Sequence, residues 1–126
     1  MNPVELDPDP YEPFNVVQAH EHDGQLYISG QAAIDQNGSI VGEDDFNAQA
    51  EQVFENLQRV LESGGSTLDQ VLKVTIYMTD MSYFDRIVEL REEYFTEPYP
   101  ADTTVEVESL ALPELMLEIE AVALTE

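Results

Sequence analysis

Cysteine is absent from this sequence. That removes disulfide bonds, thiolate nucleophiles and cysteine-ligated zinc sites together. Basic side chains are nearly absent: Arg59, Lys73, Arg86 and Arg91 are the only four. Affinity for RNA or DNA comes largely from neutralising phosphates, so no nucleic-acid partner is expected. No apolar run approaches the roughly 20 residues of a membrane-spanning helix, so no membrane partner is expected either. Phosphate-binding glycine loops, nucleophile elbows and metal signatures are missing too, and no cofactor is expected. The opening stretch MNPVELDPDPYEPF is acidic and proline-rich. It lacks the basic-then-apolar pattern of a secretory signal, which predicts a cytoplasmic protein.

What is abundant is negative charge. Twenty-seven acidic residues give a formal net charge of −23. That lies far outside the magnitude of about 2–8 that suits a small domain. Such self-repulsion costs stability at ordinary ionic strength, and it fades in molar salt, where the screening length falls to about 3 Å. The expectation is a cytoplasmic protein of a salt-accumulating halophile. A nucleic-acid mimic is the alternative, but the acids are spread along the chain rather than spaced like phosphates. Hydrophobic content of 43% is ordinary for a folded chain. At 126 residues it predicts one domain spanning 1–126, with 1–13 as an extended, proline-rich arm laid on the surface.

Periodicity predicts the order β-β-α-β-α-β-β. Strands are expected at Asn15 to His22 and Gln25 to Ala32, joined by the tight turn Asp23-Gly24. Asp44 or Asp45 caps a helix in which Phe46, Ala50, Val53, Leu57, Val60 and Leu61 recur at helical spacing, and Ser63-Gly64-Gly65 ends it. The next strand, Val71 to Thr79, sets Leu72, Val74, Ile76 and Met78 against Val71, Lys73, Thr75, Tyr77 and Thr79. A second helix starts near Ser82, with Phe84, Ile87, Val88, Arg91, Tyr94 and Phe95 as its inner stripe. Two final strands, Thr103 to Leu110 and Leu115 to Leu124, are read as a pair joined by a Pro-containing turn. In the last, Leu115, Leu117, Ile119, Ala121 and Ala123 share one face, because strand side chains alternate. Met116, Glu118, Glu120, Val122 and Leu124 share the other. One sheet with two helices on one side leaves the opposite face in need of cover. Val71, Tyr77, Met116, Val122 and Leu124 mark that face, so an oligomer is expected, with Glu118 in a pocket beside it.

Several motifs resemble the RidA (YjgF) family. They are Gln18-Ala19 followed by Tyr27-Ile28-Ser29-Gly30-Gln31; Gln52 with Glu55-Asn56-Leu57 and Leu61-Glu62-Ser63-Gly64-Gly65; VLKVTIYMTDM at Val71 to Met81; PADTTVEV from Pro100; and LEIEAVA from Leu117. The resemblance implies a chorismate-mutase-like α+β fold. It implies homotrimers whose sheets form a central β-barrel, with small-molecule clefts between subunits. Its best-known members are enamine/imine deaminases that hydrolyse reactive intermediates derived from amino acids. They hold the substrate carboxylate with an arginine in PAR[ST] and position water with a glutamate in EIEA. Carried over, the glutamate is Glu118, the candidate catalytic residue. Gly30 offers a backbone donor and Thr104 a backbone carbonyl. The arginine position is Asp102, and a tyrosine and an asparagine usual in the family align with Val16 and Val88. The chain therefore resembles a subfamily that lacks the arginine.

An arginine holds a carboxylate by a charge-assisted two-point contact, whereas Asp102 there repels it. The expected function is a cleft that binds a small metabolite without imino-acid deamination. The alternative is an enamine/imine deaminase with a rebuilt clamp, for which Arg86 and Arg91 are the nearby cations. Asp102 itself reads as a surface acid, a partner for an amine ligand, or a carboxylate sharing a proton with Glu118. His20 and His22 share a strand face, but two nitrogens are short of a metal site, and a solvated hairpin face is expected.

Overall fold

The computed structural model of the chain describes residues 1–125. Its elements are β1 (Asn2–Pro3), β2 (Ala19–His22), β3 (Gln25–Ala32), α1 (Phe46–Ser63), β4 (Val71–Met78), α2 (Phe84–Tyr94), β5 (Ala101–Glu106) and β6 (Leu117–Leu124). The strands form one mixed sheet in the order β1-β2-β3-β6-β4-β5. The expected order of elements is present, with one addition: the arm contributes β1, pairing Asn2 with Glu21 and Pro3 with His20 at the sheet edge.

The last two strands do not pair, contrary to the hairpin expected from their neighbouring positions. β5 runs parallel to β4, Val74 opposite Asp102 and Ile76 opposite Thr104. A parallel pair needs a long crossover, and α2 supplies it. β6 instead inserts between β3 and β4, antiparallel to both. β5 also begins and ends earlier than expected. Residues 107–116 form an irregular connection rather than a tight turn.

α1 starts where expected: the Asp45 carboxylate accepts a hydrogen bond from the Ala48 N–H at 3.1 Å. Its stripe of Val53, Phe54, Leu57 and Leu61 is fully buried with Leu26, Ile76, Leu117 and Ile119 of the sheet. α2 lies on the same sheet face, since its Arg91 reaches Asp102 and Thr104, which are in register with core-facing Val74 and Ile76. Tyr94 stacks on Phe54 of α1 with ring centroids 4.2 Å apart. The inner stripe of α2 is narrower than its sequence suggests. Ile87 and Leu90 are buried, whereas Phe84 and Val88 are exposed. A three-residue 3-10 turn, Met81–Tyr83, capped by Asp80, precedes the helix and sets its phase.

In β4 the expected alternation slips by one residue at its start. Val71 is buried and Leu72 is 43% exposed. Val71 pairs with Ala123 but Lys73 with Val122, so Leu72 is an extra residue in the ladder. Such a bulge reverses which side chain meets the core. Val71 therefore leaves the open face, which keeps Lys73, Thr75, Tyr77, Glu118, Glu120 and Val122. No described helix covers that face. Among the described residues, no helix is long and apolar enough to cross a membrane.

Candidate functional site

β6 explains the placement of Glu118. Leu117 and Ile119 are buried on the helix side, so alternation turns Glu118 to the open face, between Ala32 of β3 and Tyr77 of β4. β3 carries a bulge between Ile28 and Gln31, at the point where Gly30 lies against the Glu118 side chain. A Cβ at Gly30 would overlap the Glu118 carboxylate, with its Cδ at 2.7 Å and its Cγ at 2.9 Å. Any side chain there would displace the neighbouring strand's carboxylate from the space it occupies.

The arm completes the site. The Tyr11 hydroxyl donates to the Gly30 carbonyl at 2.6 Å and accepts from the Ala32 N–H at 3.2 Å. A polar chain pins this segment. Asp9 accepts from the Tyr11 N–H and from Gln18, each at 3.0 Å. Buried Gln31 donates to Gln18 and to the Ser29 carbonyl, each at 3.0 Å. The Ser29 hydroxyl donates to the Val17 carbonyl at 2.7 Å. Around Glu118 this leaves a cavity of about 470 Å³. Tyr11, Phe14 and Val16 line it from the arm side, Ser29, Gly30 and Ile34 from β3 and the residues after it, and Ala111, Leu112 and Leu115 from the 107–116 connection.

Burial, and then the Glu120 carboxylate, push the Glu118 carboxyl above the ordinary glutamate range. Burial is also the main cause that raises the Tyr11 phenol to about 12; the Ala32 N–H opposes it and the charges of Glu118 and Asp9 add to it. The phenol thus stays protonated and keeps donating to Gly30. For Glu118 the folded chain binds its proton more tightly than the unfolded chain does, so its contribution is lost as pH rises from the unfolded value of about 4.3. Glu118→Gln is therefore expected to raise the unfolding midpoint at pH 7. The gain should vanish below about pH 4, where Glu118 is protonated in both states. Melting curves of both proteins from pH 3.5 to 8 check this, and a constant difference across the range contradicts it.

Of the residues named from sequence, Glu118, Gly30 and Val16 meet at this cavity. Asp102, Thr104 and Val88 do not join them within one chain. Asp102 lies on the helix side of the sheet, where its carboxylate pairs with Arg91 Nε at 3.0 Å. The Thr104 hydroxyl donates to Asp102 and accepts from Arg91 Nη2, both at 2.8 Å. Asp102 and Glu118 thus sit on opposite faces and share no proton in one chain. Arg86 is held by Asn47 at 2.7 Å and by Glu89 and Glu93. Val88 is exposed on α2. His22 lies 3.2 Å from Asp23 at the hairpin. Tyr11, Phe14, Ile34, Leu112 and Leu115 were not read as site residues from the sequence, Leu115 being expected in the core. Their one signal there is that Tyr11 and Phe14 are aromatics in an otherwise polar, proline-rich arm.

Residues 5–125 match the family described as Endoribonuclease L-PSP. A RutC family protein of Pyrococcus horikoshii is 39% identical over 119 residues, covering 94% of this chain and 92% of that protein.

The chain belongs to the RidA (YjgF) family.

Its structure agrees. RidA from the Antarctic bacterium Psychrobacter superposes with a TM-score of 0.89 at 33% identity, over 98% of this chain and 99% of that one. A Rid-family protein of Yersinia pestis gives 0.90 at 32% identity, over 98% of each chain. The RidA fold therefore accounts for the sheet order and both helices.

Proposed function

We propose that this RidA-family chain works as a homotrimer in which each cavity beside Glu118 becomes part of an inter-subunit cleft that binds a small metabolite, without deaminating imino acids. The observation that carries this reading is the cavity of about 470 Å³ in which Glu118 lies over Gly30 and faces largely apolar walls. A concave, mostly apolar site with few converging polar groups is the usual form of a small-molecule site. The open sheet face, with Tyr77 and Val122 half-buried and Tyr27 and Leu124 exposed, supports self-association. Glu118 is the group best placed to orient a ligand or water, and Gly30 and Val16 shape its surroundings. Asp102, Thr104 and Val88 would reach a ligand only from a neighbouring subunit. The medium we propose is the salt-rich cytoplasm of a halophile, in keeping with the charge of −23.

One contact favours a second reading. Arg91 stands beside Asp102, the position of the family arginine, and could serve as a rebuilt carboxylate clamp for an enamine/imine deaminase. Its Nε and Nη2 are, however, already engaged by Asp102 and Thr104. Ammonia release from freshly generated 2-iminopropanoate in molar KCl separates the two. The expected result is no acceleration over buffer. Acceleration by the wild type that Arg91→Gln removes would establish the deaminase reading instead. Light scattering should return three times the chain mass, and a monomeric mass would overturn the trimer.

A further inference from the structure

The cavity's polar inventory is one-sided. Tyr11 spends its hydroxyl proton on Gly30 and its lone pair on Ala32. The other lining hydroxyl, Ser29, donates to Val17. Glu118 accepts no hydrogen bond from any described residue. The free side-chain polar group in the cavity is thus an acceptor that carries negative charge when ionised, set among Phe14, Ile34, Leu112 and Leu115. A half-buried carboxylate without a partner is costly, and a bound donor relieves that cost.

No cation of the chain can do so. Arg59 donates to the Pro8 carbonyl at 2.7 Å, and Lys73 to the Val74 carbonyl at 3.0 Å and to Thr103 at 3.2 Å. Arg86 and Arg91 are engaged on α2 as described above. None of the four lines the cavity. Within each chain Arg91 already gives its Nε to Asp102 and its Nη2 to Thr104. The charge acting most directly on Glu118 is that of Glu120, which is negative.

We propose that this cavity selects a compact apolar ligand carrying a cationic N–H group, such as a protonated amine or iminium, and no carboxylate. The N–H donates to Glu118, and the alkyl or aryl body lies against Phe14, Leu112 and Leu115. At about 470 Å³ the space sits toward the small end of the range of about 300–1,000 Å³ typical of ligand pockets. A ligand carboxylate would bring a second negative charge into partly dry surroundings with no side-chain donor left to meet it. The proposal rests on the cavity being the ligand site and adds the ligand's charge class.

Three probes of one size test it by calorimetry in molar KCl: phenethylamine at pH 7, 2-phenylethanol and phenylacetate. The salt screens diffuse attraction to the acidic surface, while a contact inside the cavity is screened much less. The amine is expected to bind at least about tenfold tighter than the alcohol, as a charge-assisted hydrogen bond implies. Phenylacetate is expected to bind weakest. Glu118→Gln, which keeps the shape, should erase the amine's advantage while the alcohol still binds. Glu92→Gln, on the exposed side of α2, should preserve it. Equal binding of amine and alcohol, or preference for phenylacetate, would overturn the charge class and leave the cavity standing as a binding site. An amine preference that survives Glu118→Gln would also overturn it, by placing the cation on the acidic surface. Failure of all three probes to bind would sink both the class and the binding-site reading beneath it.

Discussion

Gly30→Ala is expected to disable the site while leaving the fold almost intact. The added methyl would stand where the Glu118 carboxylate lies, 2.7 Å from its Cδ. That carboxylate is the far end of a flexible side chain, so it can swing away, and the cost in stability should lie at the low end of about 1–3 kcal/mol. The functional cost is larger. The displaced carboxylate would leave the position in which it faces the cavity, and any ligand contact made through it would go. Affinity for a ligand that depends on Glu118 should fall at least about tenfold, the value of one charge-assisted hydrogen bond. Combining Gly30→Ala with Glu118→Gln should add little to either change alone, because both remove the same contact. Calorimetry on the two single variants and the double variant tests this. Fully additive losses would show that Gly30 and Glu118 act separately.

The second large effect is on stability in salt. The unfolding midpoint should be on the order of 10 °C higher in 2 M KCl than in 0.1 M KCl, equivalent to about 3 kcal/mol for a domain of this size. Like charges about 10 Å apart in water repel by about 0.4 kcal/mol per pair. Few acids here have a counter-charge: the described arginine ion pairs engage Glu89, Glu93 and Asp102, against 27 acidic residues in all. Molar salt screens such surface pairs almost completely. Thermal unfolding followed by circular dichroism at several KCl concentrations measures the shift. A flat midpoint would remove the halophilic reading of the composition.

The two faces of β6 were readable, though not its start at Leu117 or its partners, because its alternation is strict: Leu117, Ile119, Ala121 and Ala123 are buried, and Glu118 must then face the other way. α1 was equally plain, with an Asp cap, a wide apolar stripe and glycines at its end. The slip at Leu72 was not readable, because a bulge depends on how β6 pairs with β4 and leaves the residue pattern unchanged. Nor was the parallel course of β5, since strand partners are chosen by the crossover through α2. At the site, Glu118 and Gly30 stood out through their motifs. Tyr11 did not, because its role depends on a contact across 19 residues of sequence. At Asp102 the sequence offered Arg91 as a nearby cation but not as the partner of Asp102 itself, because Arg91 lies 11 positions before it and meets it only once α2 has packed on the sheet.

Tyr11 also provides a clock. The Ala32 amide proton is given to a side chain of the arm, so its protection from solvent requires the arm to be in place. Local opening can release such a proton without global unfolding. The exchange rate of that amide then reports how often the cavity loses its wall, separately from how often the protein unfolds. A ligand that needs the wall should slow that exchange in proportion to its occupancy.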